Sequence, residues 1–143
     1  MNYSKNDINQ LLEKIKQSHG VITPKNYFVQ VPNSFVRNNS IDTNQKILYI
    51  YLWGFGGESM NMYPSISRIN KELGWGKQKI FEVLKKLQGN GGVYIINRRH
   101  SKTKEKATNL YYLAEIDSNN GNFIKSSLDI VRTIYPEQSA LID

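Results

Sequence analysis

A chain of 143 residues has room for one domain with extensions or two very small domains, and for a modest core that needs no staples. It contains no cysteine, which excludes disulfides, Cys-ligated zinc, iron–sulfur clusters and thiol catalysis and fits a reducing cytoplasm. Its formal charge is +7, with no secretory h-region at the N-terminus and no apolar run long enough to span a bilayer, so a basic, soluble, cytoplasmic protein with no membrane partner is expected.

In chain order, Ser4–Lys16 is predicted to be an amphipathic helix. Ser4 and Asp7 have capping spacing, and Ile8, Leu11, Leu12 and Ile15 form one apolar stripe. Val21–Asn26 reads as a connector, Tyr27–Val31 as a short strand stopped by Pro32, and Asn33–Ile41 carries no clear signal. Asp42 with Gln45 gives an N-cap signature for a nearly all-apolar, hence central, helix ending near Trp53, where Gly54, Gly56 and Gly57 break it. Pro64-Ser65 opens a second helix with Ile66, Ile69 and Leu73 inward. Gly74-Trp75-Gly76 is a tight turn in which Trp75 plugs the core. Lys77–Gln88 is a third helix with Ile80, Val83, Leu84 and Leu87 on one face, ended by Gly89–Gly92. Val93–Arg98 and Leu110–Glu115 flank the basic loop Arg99–Asn109 as a hairpin with a long tip. Ser118–Asn122 reads as a linker, and Ile124, Leu128, Val131 and Tyr135 as the stripe of a last helix ended by Pro136.

Charge falls unevenly on these elements. Gly76–Asn109 holds nine basic residues against Glu82 and Glu105, a surplus equal to that of the whole chain, because the flanking segments carry +3 and −3 and cancel. A short helix followed by a basic hairpin is the footprint of a protein that meets a polyanion.

The order strand, helix, helix, tight turn, helix, hairpin is the layout of a winged helix-turn-helix. The expected fold is α+β: a three-helix core with a small antiparallel sheet or wing, flanked by N- and C-terminal helices. Its units would be residues 1–26 (helix and connector), 27–116 (winged helix-turn-helix) and 117–143 (linker and last helix). Two helices joined by a short glycine-containing turn cross steeply, and the second can lie in a DNA major groove. The third helix presents Lys77, Gln78 and Lys79 in its first turn, then Phe81, Glu82 and Lys85. Lysine can donate to guanine and glutamine can pair with adenine, while the first amides of the helix favour a phosphate. The tip supplies Arg98, Arg99, His100, Lys102, Lys104 and Lys106, suited to the backbone or minor groove. Ser65, at the start of the second helix, completes the candidate DNA-binding set.

From Tyr27-Phe28-Val29-Gln30-Val31-Pro32-Asn33 to Asn109-Leu110-Tyr111-Tyr112-Leu113 the chain resembles the winged-helix domain of replication initiators and replisome organisers of plasmids and phages of Gram-positive bacteria. The matching pieces are F-V-Q-V-P-N, K-I-L-Y-I-Y-L, Y-P-S-I-S-R-I-N-K-E-L-G, K-Q-K-I-F-E-V-L-K-K-L and N-L-Y-Y-L, covering about two-thirds of the chain. The resemblance implies sequence-selective binding of double-stranded DNA in a mobile element, in replication initiation, conjugative transfer or their regulation, with replication or transfer proteins as partners. Two departures stand out. Gly76 occupies the position where the family usually has a small hydroxyl residue. Only about thirty residues follow the wing where full initiators carry a further domain, which fits a small accessory factor or regulator.

Blander readings stand beside these. A lone surface lysine such as Lys86 is ordinary solvation, and Tyr49, Tyr51, Tyr111 and Tyr112 are most simply core and strand residues. Phe81 has three readings: a thymine-methyl contact, a dimer contact or a partly buried residue. His19 and His100 lack a second ligand at useful spacing, no Walker-type Gly-Lys-Ser/Thr occurs and no carboxylates pair, so neither metal, cofactor nor enzymatic activity is expected. Two alternative functions remain: a single-strand binder using tyrosines as stacking platforms, and a protein-interaction module built on the terminal helices, which could pack on each other within one chain, pair across a homodimer or merely cover the core of a monomer.

Overall fold

The computed structural model describes residues 3–17, 21–22, 30–55 and 65–142. Within them the chain is a mixed α+β protein. Three of its helices begin where a side chain takes up an orphan amide of the first turn. Helix α1 (Lys5–Gln17) starts with a reciprocal capping box: the Asp7 amide donates to Ser4 Oγ at 3.1 Å and the Ser4 amide to Asp7 Oδ2 at 3.2 Å. Helix α3 (Thr43–Trp53) is capped by Asp42, which accepts from the Gln45 amide at 2.9 Å and from Gln45 Nε2 at 3.0 Å. Those bonds to the charged form hold the Asp42 carboxyl below its usual range. Helix α4 (Ile66–Leu73) is capped by Ser65, whose Oγ accepts from the Arg68 amide at 3.1 Å. It ends at Gly74, whose φ of 71° is the left-handed conformation that lets the chain turn sharply into α5 (Lys77–Gly89). Asn70 Nδ2 fastens the turn by donating to the Trp75 carbonyl at 2.5 Å.

A four-stranded sheet in the order β1-β3-β2-β6 forms the middle layer. Strand β2 (Val93–His100) pairs antiparallel with β3 (Leu110–Leu113), and β1 (Val21–Ile22) and β6 (Ser139–Ile142) run parallel to β3 and β2 respectively. Paired residues share a face. The face carrying Val93, Ile95, Tyr111 and Leu113 receives α3 and α5. The opposite face, with Tyr94, Ile96, Leu110 and Tyr112, meets α1 and helix α6 (Asp129–Ile134): Tyr94 Oη donates to the Tyr135 carbonyl at 2.6 Å and its ring lies under Arg132. Leu48, Leu52, Ile69, Ile80 and Leu87 are fully buried between the helices and the sheet. Tyr49 is equally buried, within an aromatic group with Phe35 and Phe123, and its hydroxyl donates to the Ala114 carbonyl.

Several elements differ from expectation. The unassigned stretch after Pro32 contains a one-turn helix, α2 (Asn33–Val36), because Phe35 is drawn into the core. Ser118–Asn122, read as a linker, is the turn between β4 (Glu115–Ile116) and β5 (Phe123–Ile124). That turn is docked on α2: Ser34 Oγ donates to the Ser118 carbonyl at 2.7 Å and Asn38 Nδ2 to the Gly121 carbonyl at 2.9 Å. Gly121, at φ 76°, lies so close that a Cβ would stand 2.2 Å from the Ser34 oxygen. The last helix starts later than its stripe suggests. Ile124 is in β5, Lys125–Leu128 is a 3₁₀ turn, and α6 follows, ending before Tyr135 and Pro136. Strand β6 was not foreseen. The expected strand at Tyr27–Val31 lies mostly outside the described residues, and Gln30 and Val31 are in no strand. Gly54 ends α3 as expected, whereas Gly56, Gly57 and Pro64 are outside the described residues. No helix among the described residues is long and apolar enough to cross a membrane.

Candidate nucleic-acid interface

Helix α5 buries Ile80, Val83, Leu84 and Leu87, so the helical period turns the remaining side chains outward. Lys77, Gln78, Lys79, Phe81, Glu82, Lys85 and Lys86 are all exposed. Its N-cap is Gly76, extended at φ −64° and ψ 155°, with no side-chain cap and no atom within 4 Å of where a Cβ would stand. The first amides of this helix therefore carry no side-chain cap. Lys79 Nζ sits 4.6 Å from the centre of the half-buried Trp75 ring, which fixes the ammonium over the turn. Gln78 Nε2 donates to Glu82 Oε1 at 3.3 Å, orienting the amide of one residue by the carboxylate of the next turn. Phe81 is 55% exposed, which removes the partly buried reading of this residue.

The hairpin carries the second group. Ile96 pairs with Leu110 but Arg99 with Lys106, so the return strand holds one residue more than β2 between these pairs, a bulge of the kind that bends and twists a hairpin arm. The arm closes through the His100 amide, which donates to the Glu105 carbonyl at 2.9 Å, and the Lys104 amide, which donates to the His100 carbonyl at 2.9 Å, with Lys104 left-handed at φ 63°. Arg99, Lys102, Lys104 and Lys106 are exposed on it. Arg99 shares strand parity with Val93 and Ile95 and so lies on the sheet face that α5 covers.

Arg98 departs from its expected place. It has the opposite parity, is only 8% exposed, and spends its guanidinium on Thr108: Nε donates to the carbonyl at 2.9 Å and Nη2 to Oγ1 at 3.2 Å. It braces the bulge from inside. His100 follows the same parity and is half-buried. It lines, with Lys16, Arg98 and Lys106, a groove of about 890 Å³ between the end of α1 and the hairpin, on the far side of the sheet from α5. Ser65 is half-buried, with its hydroxyl oxygen engaged as the α4 cap. The site set thus divides: the α5 residues and Arg99 belong to one side, Arg98 and His100 to the other, and Lys102 and Lys104 to the tip between.

Helix and hairpin share a joint. Gln88, in the last turn of α5, accepts from the Ile95 amide of β2 at 3.1 Å and from Gln138 Nε2 at 2.7 Å. From that joint Lys77 is about 16 Å back along the helix, and His100 about 16 Å along the strand. Even fully splayed, the two cationic ends stay within roughly one turn of B-form duplex plus the width of the joint.

Electrostatically the surface is unbalanced. Among the described residues the ion pairs are Arg68–Glu72 and Arg132–Asp129, and none engages a lysine of α5 or a cation of the tip. Arg99 bridges Lys106 through the backbone and donates from Nη1 to the Lys104 carbonyl at 3.1 Å, while Lys106 lines the groove with Lys16 and Arg98. Sequence reasoning missed Asn97, exposed on the α5 side, and missed β6, which covers the outer edge of β2 from Asn97 to His100. Only the short apolar run Ala-Leu-Ile hinted at a strand there. Among the described residues no cluster of three or more metal-ligating side chains occurs. No family model matches the chain, and neither a curated protein nor a solved structure is similar to it.

Proposed function

We propose that this chain is a winged helix-turn-helix protein that binds double-stranded DNA in a sequence-selective way. In this reading α5 enters the major groove and the β2–β3 hairpin is the wing on the backbone or minor groove. The observation that carries the proposal is the set of unneutralised cations on two elements hinged at Gln88 and Ile95. Among the described residues Lys77, Lys85, Arg99, Lys102 and Lys104 form no ion pair, and a phosphate backbone would neutralise them together. The likeness of its motifs to plasmid and phage initiator domains supports a role in a mobile element, in replication initiation, conjugative transfer or their regulation, with replication or transfer proteins as further partners.

The alternatives draw less support. Tyrosine platforms for single strands would need open rings, and Tyr49, Tyr94 and Tyr111 are buried while Tyr51 and Tyr112 are half-buried. Pairing of two copies through the terminal stripes would need surface that Leu11, Ile15, Leu128 and Val131 already bury within one chain.

Duplex binding measured against salt tests the proposal. If five phosphates are neutralised, log K against log salt should slope near about −4.5. Lys102→Glu with Lys104→Glu should weaken every duplex alike, while Gln78→Ala should change the order of preference among sequences. A shallow slope, or an unchanged affinity after the double reversal, would count against it.

A further inference from the structure

We infer that Phe81 reads the C5-methyl group of a pyrimidine in the major groove; this rests on the duplex-binding reading of α5. Three observations carry it. The ring is 55% exposed and makes no ring–ring or cation–π contact among the described residues. It stands in the middle of the outward face of α5, one turn from Lys77 on one side and Lys85 on the other, the one apolar side chain among the exposed residues of that helix. Three residues before it, the exposed Gln78 gives one amide hydrogen to Glu82, which leaves a carbonyl oxygen and a second hydrogen, the acceptor–donor pair that adenine N6 and N7 complement.

On the floor of a major groove the pyrimidine methyl is the only apolar group displayed. A phenyl ring projecting from the centre of a helix laid there has that one complementary partner. The competing occupant is a protein surface, including a second copy of this chain. Protein interfaces exclude lysine from their cores, and two copies meeting at Phe81 would press Lys77 and Lys85 against their own equivalents. The charge around the ring therefore selects the nucleic acid.

Thymine and 5-methylcytosine offer the same methyl, and the test separates them. The full chain is titrated against a duplex recovered by random-site selection, then against duplexes in which each thymine in turn is deoxyuridine, which removes the methyl alone. A parallel set replaces each cytosine by 5-methylcytosine. Wild type should lose about threefold to tenfold in affinity at one or two thymine positions, or gain as much at a methylated cytosine. Phe81→Ala should bind the thymine and uracil duplexes equally while keeping the wild-type salt slope. Phe81→Leu, which retains an apolar contact, should keep the discrimination and guards against a loss of folding in the alanine variant. Indifference of wild type to every methyl, or a uracil penalty that survives Phe81→Ala, overturns the inference and leaves duplex binding standing. An absence of salt-dependent duplex binding removes the broader reading, and this one with it.

Discussion

Arg98 and Arg99 are adjacent arginines with opposite work, and strand parity alone separates them. One turns inward to hold Thr108 and the other outward onto the cationic side. No composition or charge count distinguishes them, because the distinction depends on which face of the sheet is covered. Across the ladder from Arg99 stands a second cation, Lys106. Lys106→Glu would put a carboxylate in place of one of the cations that line the groove with Lys16 and Arg98. The expected outcome is a fold more stable by about 0.2–1 kcal/mol in thermal or urea unfolding. Duplex affinity should fall at the same time, with the salt slope shallower by about 0.9 or more. A stabilised variant with undiminished binding would show that this position is not at the backbone.

At the scale of elements, the start of α5 poses the same conflict. Gly76 has the extended backbone of an N-cap and open space around its Cβ position, so nothing steric demands glycine. Its φ of −64° is accessible to any residue. Gly76→Asp should therefore cap the helix, complement its dipole and narrow the unfolded ensemble, for a combined gain of about 1 kcal/mol. The same carboxylate would occupy the free amides and repel phosphate, so duplex affinity should drop while Gly76→Ser, stabilising without charge, loses less. Full affinity in the aspartate variant would place the helix start away from the backbone. The elements that were legible from sequence are those fixed by such local chemistry: the Ser4–Asp7 box, the Asp42 and Ser65 caps and the left-handed Gly74 all act within four residues. The elements that were not legible are held from far away. The Ser118–Asn122 turn looks like a linker because its partners, Ser34 and Asn38, are more than 80 residues distant. Strand β6 depends on Gln138, whose Nε2 bridges Gln88 and the Ile95 carbonyl across the molecule. Of the candidate site, the residue types and the basic segment were readable, and the division of the hairpin between two faces was not, because it depends on which face of the sheet the helices cover.

For the molecule as a whole, the core is built around tyrosines that the surface chemistry does not use, and this sets its limit in alkali. Burial pushes the Tyr49 hydroxyl up, with the Glu115 carboxylate adding to the effect. Burial likewise raises Tyr111, against a hydrogen bond from Asn109 that lowers it, and raises Tyr112, again with Glu115. An unfolded tyrosine ionises near about pH 10. Below that value both states are protonated and the stability these residues confer is fully present. As pH rises past it the unfolded chain releases protons that the folded chain retains, so stability falls, by up to about 1.4 kcal/mol per pH unit for each fully buried tyrosine, until the folded hydroxyl itself ionises. The urea midpoint should thus hold to about pH 9 and decline steeply by about pH 11, with tyrosinate absorbance rising together with the loss of structure. Tyr49→Phe separates the causes. It removes one titrating hydroxyl and should flatten the decline, and it also takes the partner from the buried Ala114 carbonyl, which should lower stability at neutral pH by about 1–3 kcal/mol. A midpoint indifferent to alkali in the wild-type chain would mean that these rings reach water, and that the aromatic centre on which α3 and the sheet are packed is not closed.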